Sequence, residues 1–125
     1  MTSMPNESKN FIRACAPVER EAVDDGITRQ FLGYNGDIMM VRVWFDQGAV
    51  GQLHSHYHSQ VSYVESGTFD VTVGDETHTL KAGDSFFIPP HVEHGAVCRE
   101  AGVLLDVFSP VREDFLAGEG YTNET

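Results

Sequence analysis

The stretch HSHYHSQ, residues 54–60, sets histidines at three alternate positions and places a glutamine two residues further on. In an extended strand, residues two apart point to the same face. His54, His56 and His58 would then crowd one side together, with Gln60 further along it. Imidazoles gathered in this way are either an accident of composition or a metal site.

Strands must position these side chains, and the chain is rich in strand signals. ITRQFL and DIMMVRVWF flank GYNG, whose Asn35-Gly36 pair suits a tight hairpin, and DQG ends the second run. QVSYVES is expected to turn at Ser66-Gly67 into TFDVTV, which turns at Gly74-Asp75 into THTLK. AGD leads to SFFI, stopped by Pro89-Pro90, and HGAVC and VLLDVFS come last. Many short strands, regular turns and no helical period predict an all-β closed barrel or sandwich. The segment VLLDVF places Val103, Leu105 and Val107 on one face and Leu104, Asp106 and Phe108 on the other. One face can serve internal packing, and an apolar remainder outside would favour a homodimer. The tail after Ser109 has room for one helical turn.

The 125 residues predict a single domain: an N-terminal arm over 1–10 that is polar and expected to be flexible, a barrel over 11–116 and a C-terminal tail over 117–125. No run approaches the length of a transmembrane helix, and the N-terminal stretch lacks the pattern of a secretory signal. A cytoplasmic protein is expected. Eight Lys and Arg against 19 Asp and Glu give a formal net charge of −11. That field repels nucleic acid and anionic membranes. A small anionic ligand remains compatible, provided a metal or an individual arginine supplies a local cation. Cys15 and Cys98 are far apart without CxxC spacing and read as two reduced thiols.

Around the opening stretch the spacing becomes specific. Gly48 precedes His54 by six, Gln60 follows His56 by four, and Gly67 comes seven later; downstream, Gly83 precedes Pro89 by six and His94 follows it by five. This resembles the two-motif signature of the cupin superfamily, glycine–HxHxxx(E)–glycine and then glycine–P–x–G–x–x–H. Gln60 stands where cupins usually carry glutamate, His91 where the second motif usually has glycine, and Cys98 replaces a common asparagine. The resemblance covers roughly residues 27–110 and implies a double-stranded β-barrel, or jelly roll, with one divalent metal ligated by His54, His56, Gln60 and His94. It gives His58 no ligand role, so a local bend should turn that ring away.

Three neutral imidazoles and an amide oxygen suit Zn²⁺, Ni²⁺, Fe²⁺ or Mn²⁺, with positions left open for a substrate. Replacing the carboxylate by an amide leaves the ion's double charge uncompensated. Such a site should favour anionic ligands and act as a stronger Lewis acid. The rival reading is a histidine-rich segment that binds nothing.

One barrel hosts many reactions, and the end of the chain is more discriminating. HGAVCREAGVLLDVFSPVREDFL resembles the corresponding segment of the KdgF family of pectin and alginate catabolism, as does GQLHSHYHSQVSYVESGTFDVTVG with its glutamine. The resemblance implies an enzyme that takes 4,5-unsaturated uronate monosaccharides to linear 5-keto-4-deoxyuronates, with Asp106, Phe108 and Arg112 as its catalytic-site trio. Asp106 would be general base and then acid, Phe108 an apolar wall, and Arg112 a bidentate clamp on the substrate carboxylate. Without the resemblance, Asp106 reads at least as well as a structural carboxylate, Phe108 as core and Arg112 as a solvated charge. Arg42 is a second candidate clamp. Tyr63 and Glu65, opposite Gln60 and Ser62 by alternation, should face away from the metal, and GDETH, with His78, is a solvated hairpin tip. The alternatives are an iron-dependent cupin dioxygenase and a cupin that binds a sugar acid without turnover.

Overall fold

The computed structural model describes residues 5–14 and 19–117. Eight strands follow in order: β1 (Glu21–Asp24), β2 (Ile27–Tyr34), β3 (Met39–Phe45), β4 (Val50–His54), β5 (Ser59–Val73), β6 (Glu76–Lys81), β7 (Ser85–Ile88) and β8 (His94–Ser109). A single helical turn, α1 (Glu113–Leu116), closes the described chain. The strand order is β1-β2-β3-β8-β5-β6, with β4 also on β8 and β7 also on β5, every pairing antiparallel.

β5 and β8 carry this architecture, because each belongs to two layers. The first part of β5, from Ser59 to Val64, pairs with the last part of β8, flanked by β7 and β3; the later part, from Thr68 to Val73, pairs with the start of β8, flanked by β6 and β4. The sheet folds over so that Phe45 of β3 meets Phe69 of β5 edge-on, ring centroids 5.1 Å apart. The all-β jelly-roll expectation holds.

Two expected breaks are not breaks. Ser66-Gly67 does not end a hairpin, and HGAVC and VLLDVFS are one strand of 16 residues. Pairing of β5 with β8 continues on both sides of Gly67 through shifts of register between Val64 and Phe69. Gly67, at φ 85°, lies against Gly102, and a Cβ on Gly102 would stand 2.1 Å from the Ser66 carbonyl oxygen. The glycine serves a bulged bend in a continuing ladder, where β-bulges increase local twist. A glycine beside a polar residue looks the same in sequence whether the chain turns back or merely bends.

Alternation sorts the side chains onto two faces, on β8 with the division predicted. Along β3, Met39, Val41, Val43 and Phe45 are buried while Met40, Arg42 and Trp44 are not; along β8, Leu104, Asp106 and Phe108 are buried and Val103, Leu105 and Val107 half-buried. The core gathers Ile27, Val41, Val43, Phe45, Val64, Phe69 and Leu104 between the layers. Asn35 caps its hairpin by accepting from the Asp37 and Ile38 amides. Within the arm, the Ser8 amide donates to the Tyr34 carbonyl at 2.9 Å and the Tyr34 hydroxyl to that of Pro5 at 3.0 Å. Cys15 and nearly all of the 117–125 tail lie outside the described residues.

Candidate metal centre

The three alternating histidines do not share a strand. β4 ends at His54 and β5 begins at Ser59, so His56 and His58 ride on the connection between them. The physical reason is topological: β4 lies against the start of β8 and β5 enters against its end, with Ser59 opposite Ser109, so the chain must cross between layers here. His94, first residue of β8, faces His54 across the β4–β8 ladder.

The crossing brings His54, His56 and His94 together. Their ring centroids are 4.3 Å apart for His54–His94, 4.8 Å for His56–His94 and 5.7 Å for His54–His56. One nitrogen from each lies within 4.8 Å of the other two, and all three residues are buried. Each ring places Nδ1 against a backbone carbonyl: Gln52 for His54 at 2.7 Å, His58 for His56 at 3.2 Å, Val92 for His94 at 2.9 Å. A carbonyl only accepts, so Nδ1 carries the proton on each ring, and Nε2 is the nitrogen that a neutral ring can offer to a cation. Burial, followed by the charge of Arg112, pushes His56 down to about 4; burial pushes His94 down to about 3. Both are neutral at pH 7.

Gln60 lies against this group. Its Oε1 stands 2.9 Å from His56 Nε2, which with Nδ1 protonated puts two acceptors face to face. His94 Nε2 is fully buried and has no hydrogen-bond partner. Converging, desolvated lone pairs of this kind are what a cation relieves. His54, His56 and His94 could hold a divalent ion, and the Gln60 amide oxygen lies beside them. His58 is turned away as expected: its Nε2 takes the Val111 carbonyl at 3.1 Å, and its ring stacks on Tyr57 at 4.0 Å.

Asp106 is completely buried on β8, directly opposite Ser62 of β5. The Ser62 hydroxyl donates to Asp106 Oδ1 at 2.6 Å and accepts from Gln60 Nε2 at 2.9 Å. His54, Gln60, His94 and Asp106 line one small cavity of about 20 Å³, with Phe45, Phe86 and Leu104 among its apolar walls. Ser62 was expected only to share the side of Gln60; alternation could place it there, but its two partners come from the β8 register.

Phe108 and Arg112 are also fully buried, but they are not among the walls of that cavity. Phe108 packs edge-on against the His56 ring at 5.8 Å and the Phe115 ring at 5.5 Å. The Arg112 guanidinium lies 5.1 Å from the Phe108 centroid and 4.1 Å from that of Phe115. It is not a solvated charge. Its Nε and Nη2 donate to the two oxygens of Asp114 at 3.0 and 2.7 Å, while Nη1 is buried without a partner. Burial pushes the Asp114 carboxyl up, but hydrogen bonding and charge pairing with Arg112 outweigh this and hold it below the ordinary carboxylate value. The fork expected to clamp a substrate bidentately is therefore occupied by Asp114, leaving Nη1 as the open donor. Asp114 went unnoticed in sequence, although an R-x-D spacing is a signal for such a pair.

Other candidates fall outside the centre. Arg42 reaches Glu65 at 3.3 Å on the outer face, so it does not clamp anything in the cavity. Tyr63 and Glu65 are exposed, and His78 pairs with Glu76 at the solvated hairpin. His91 is exposed at φ 67°, a backbone region that favours glycine, which is what the motif usually has there; its amide donates to the His56 carbonyl at 2.7 Å.

Comparison with known proteins agrees with this fold. Residues 41–108 match the cupin domain family. Over 98 residues the chain is 44% identical to the pectin degradation protein KdgF of Dickeya dadantii, covering 77% of this chain and 89% of that protein. The solved structure of an RmlC-like cupin from Shewanella frigidimarina superimposes with a TM-score of 0.86 at 51% identity, over 89% of this chain and 99% of that one. KdgF from Halomonas sp. superimposes at 0.75 with 41% identity, over 78% and 90% respectively.

Proposed function

The chain belongs to the cupin family, with KdgF proteins among its relatives, and on that premise we propose that it acts in pectin or alginate degradation. The reaction is the conversion of 4,5-unsaturated uronate monosaccharides to linear 5-keto-4-deoxyuronates. The observation that carries this reading is the placement of buried Asp106 in the same cavity as His54, Gln60 and His94.

The substrate is a cyclic hemiacetal whose ring oxygen also belongs to an enol ether. Asp106 takes the proton of the C1 hydroxyl as the bond between C1 and the ring oxygen breaks, which leaves an aldehyde at C1 and an enolate at C5. The same carboxyl returns the proton to C4, so atoms and charge balance without an oxidant. A divalent ion held by His54, His56, Gln60 and His94 supplies Lewis-acid stabilisation of developing negative charge on oxygen. The charge of Arg112 reaches His56, and from its buried position beside Asp114 it acts on the substrate carboxylate at a distance rather than by contact. Phe108 holds His56 in place and keeps water from that side.

The protein works in the cytoplasm on this reading, with residues 11–116 as the functional unit. It is a homodimer through its outer sheet face, where Phe87, Val61, Val107 and Met40 are cross-strand neighbours in one row. Val61 and Phe87 are about half exposed.

An anaerobic assay with unsaturated galacturonate tests the chemistry through loss of enol-ether ultraviolet absorbance. The intact protein should consume the absorbance without oxygen, and chelator-stripped protein should not. Asp106→Asn should retain metal and lose at least about a hundredfold in rate. An oxygen requirement would favour the dioxygenase, and tight binding with unchanged absorbance the non-catalytic binder.

A further inference from the structure

We propose that Ser62 is a positioning residue that sets the direction of the hydrogen-bonded chain from Gln60 to Asp106 and thereby decides which end of the Gln60 amide faces the metal. The inference rests on the reading of Gln60 as a ligand and Asp106 as an ionised carboxylate.

A serine hydroxyl has one proton and lone pairs to accept with, and an ionised carboxylate only accepts. At 2.6 Å from Asp106 Oδ1, the Ser62 proton is committed to that oxygen. The hydroxyl can then only accept from Gln60, at 2.9 Å, which requires the Gln60 end facing it to be the NH₂. The oxygen is left to point at His56 Nε2. Ser62 is wholly buried, so its hydroxyl finds its partners within the protein.

The alternative amide orientation shows what Ser62 prevents. Reversed, the NH₂ would donate to the bare His56 Nε2, making a comfortable hydrogen bond that blocks two ligand atoms at once. Ion binding would first have to break it.

The same directionality accounts for glutamine where cupins usually carry glutamate. A glutamate at position 60 cannot donate. The Ser62 hydroxyl would then sit between two carboxylates with one proton to share, and either the ligand or Asp106 would lose the serine proton. An amide feeds a proton in at one end, so Asp106 keeps the hydroxyl. Buried networks of this kind hold first ligands in geometry, and loss of such a partner commonly weakens metal binding ten- to a hundredfold.

The test is Zn²⁺ affinity by competition with a chromophoric chelator, in a double-mutant cycle that needs no turnover. Ser62→Ala should weaken Zn²⁺ binding about tenfold. In a Gln60→Ala background, which has no amide left to orient, the same substitution should change affinity less than twofold. Ser62→Thr and Ser62→Val, equal in shape and differing only in the hydroxyl, repeat the comparison should the alanine variant fold poorly; threonine should bind more tightly than valine by about the same factor. Equal losses in both backgrounds, or no loss at all in Ser62→Ala, would overturn the positioning role. Wild-type protein that bound no Zn²⁺ would overturn the metal centre itself, and this inference with it.

Discussion

Gly67 and Gly102 meet backbone to backbone where β5 and β8 pass from one layer to the other: a Cβ on Gly67 would stand 2.6 Å from the Gly102 Cα, and one on Gly102 2.6 Å from the Gly67 Cα. The two strands that carry Gln60, Ser62, His94 and Asp106 bend together at this contact. Gly102→Ala cannot be absorbed by a rotamer change, because the obstruction is main chain. It should destabilise by at least about 3 kcal/mol in urea unfolding, at the upper end of single substitutions.

Position 91 should respond in the opposite direction. A non-glycine residue held at positive φ carries on the order of 1 kcal/mol of strain. His91→Gly relieves it, part of the gain being offset by the freer unfolded chain. The expected result is a stability increase of about 0.5 kcal/mol, whereas His91→Val, β-branched at the same φ, should lose roughly 1–2 kcal/mol. Denaturant midpoints compare the two directly.

The histidine centre makes the metal-free protein acid-sensitive above the carboxylate range. His56 and His94 have folded-state values of about 4 and about 3, below the roughly 6.5 of an exposed ring in the unfolded chain. Between those limits the unfolded state binds more protons, so stability falls as pH drops below about 6.5 and continues falling toward the folded values. At pH 5 each ring should cost about 2 kcal/mol relative to pH 7. Urea midpoints on chelator-treated protein at pH 7, 6 and 5 give the slope, and a flat profile would mean that the rings are not buried neutral.

Metal binding should register as stability. Zn²⁺ at about a hundred times its Kd contributes about 2.7 kcal/mol by linkage, or a melting-temperature rise of several degrees to about 10 °C in a domain of this size. His94→Ala removes a buried imidazole whose Nε2 lacks any other partner, and it should abolish most of that rise. One equivalent should saturate the wild type in a calorimetric titration.

The outer apolar row gives a test of assembly independent of the site. Val61→Asp puts a charge between Phe87 and Val107, its cross-strand neighbours. Sedimentation equilibrium should show a dimer for the wild type and a monomer for the variant, with far-ultraviolet circular dichroism unchanged.

What the amino-acid order determines by itself is local. Alternation along β8 is a property of extended chain, so the sharing of one face by Leu104, Asp106 and Phe108 could be read without coordinates, while which face is buried could not. The histidine, glutamine and proline spacings likewise marked His54, His56, Gln60 and His94, which the fold brings to one centre. What required tertiary structure is every relationship set by pairing between distant segments. Whether Gly67 turns or bends depended on Gly102, 35 residues downstream; the partner of the Ser62 hydroxyl depended on the β8 register; and the state of Arg112 depended on how the last turn folds Asp114 back beneath it. Each is a contact whose geometry no neighbouring residue encodes, because the distance is closed by the sheet rather than by the local chain.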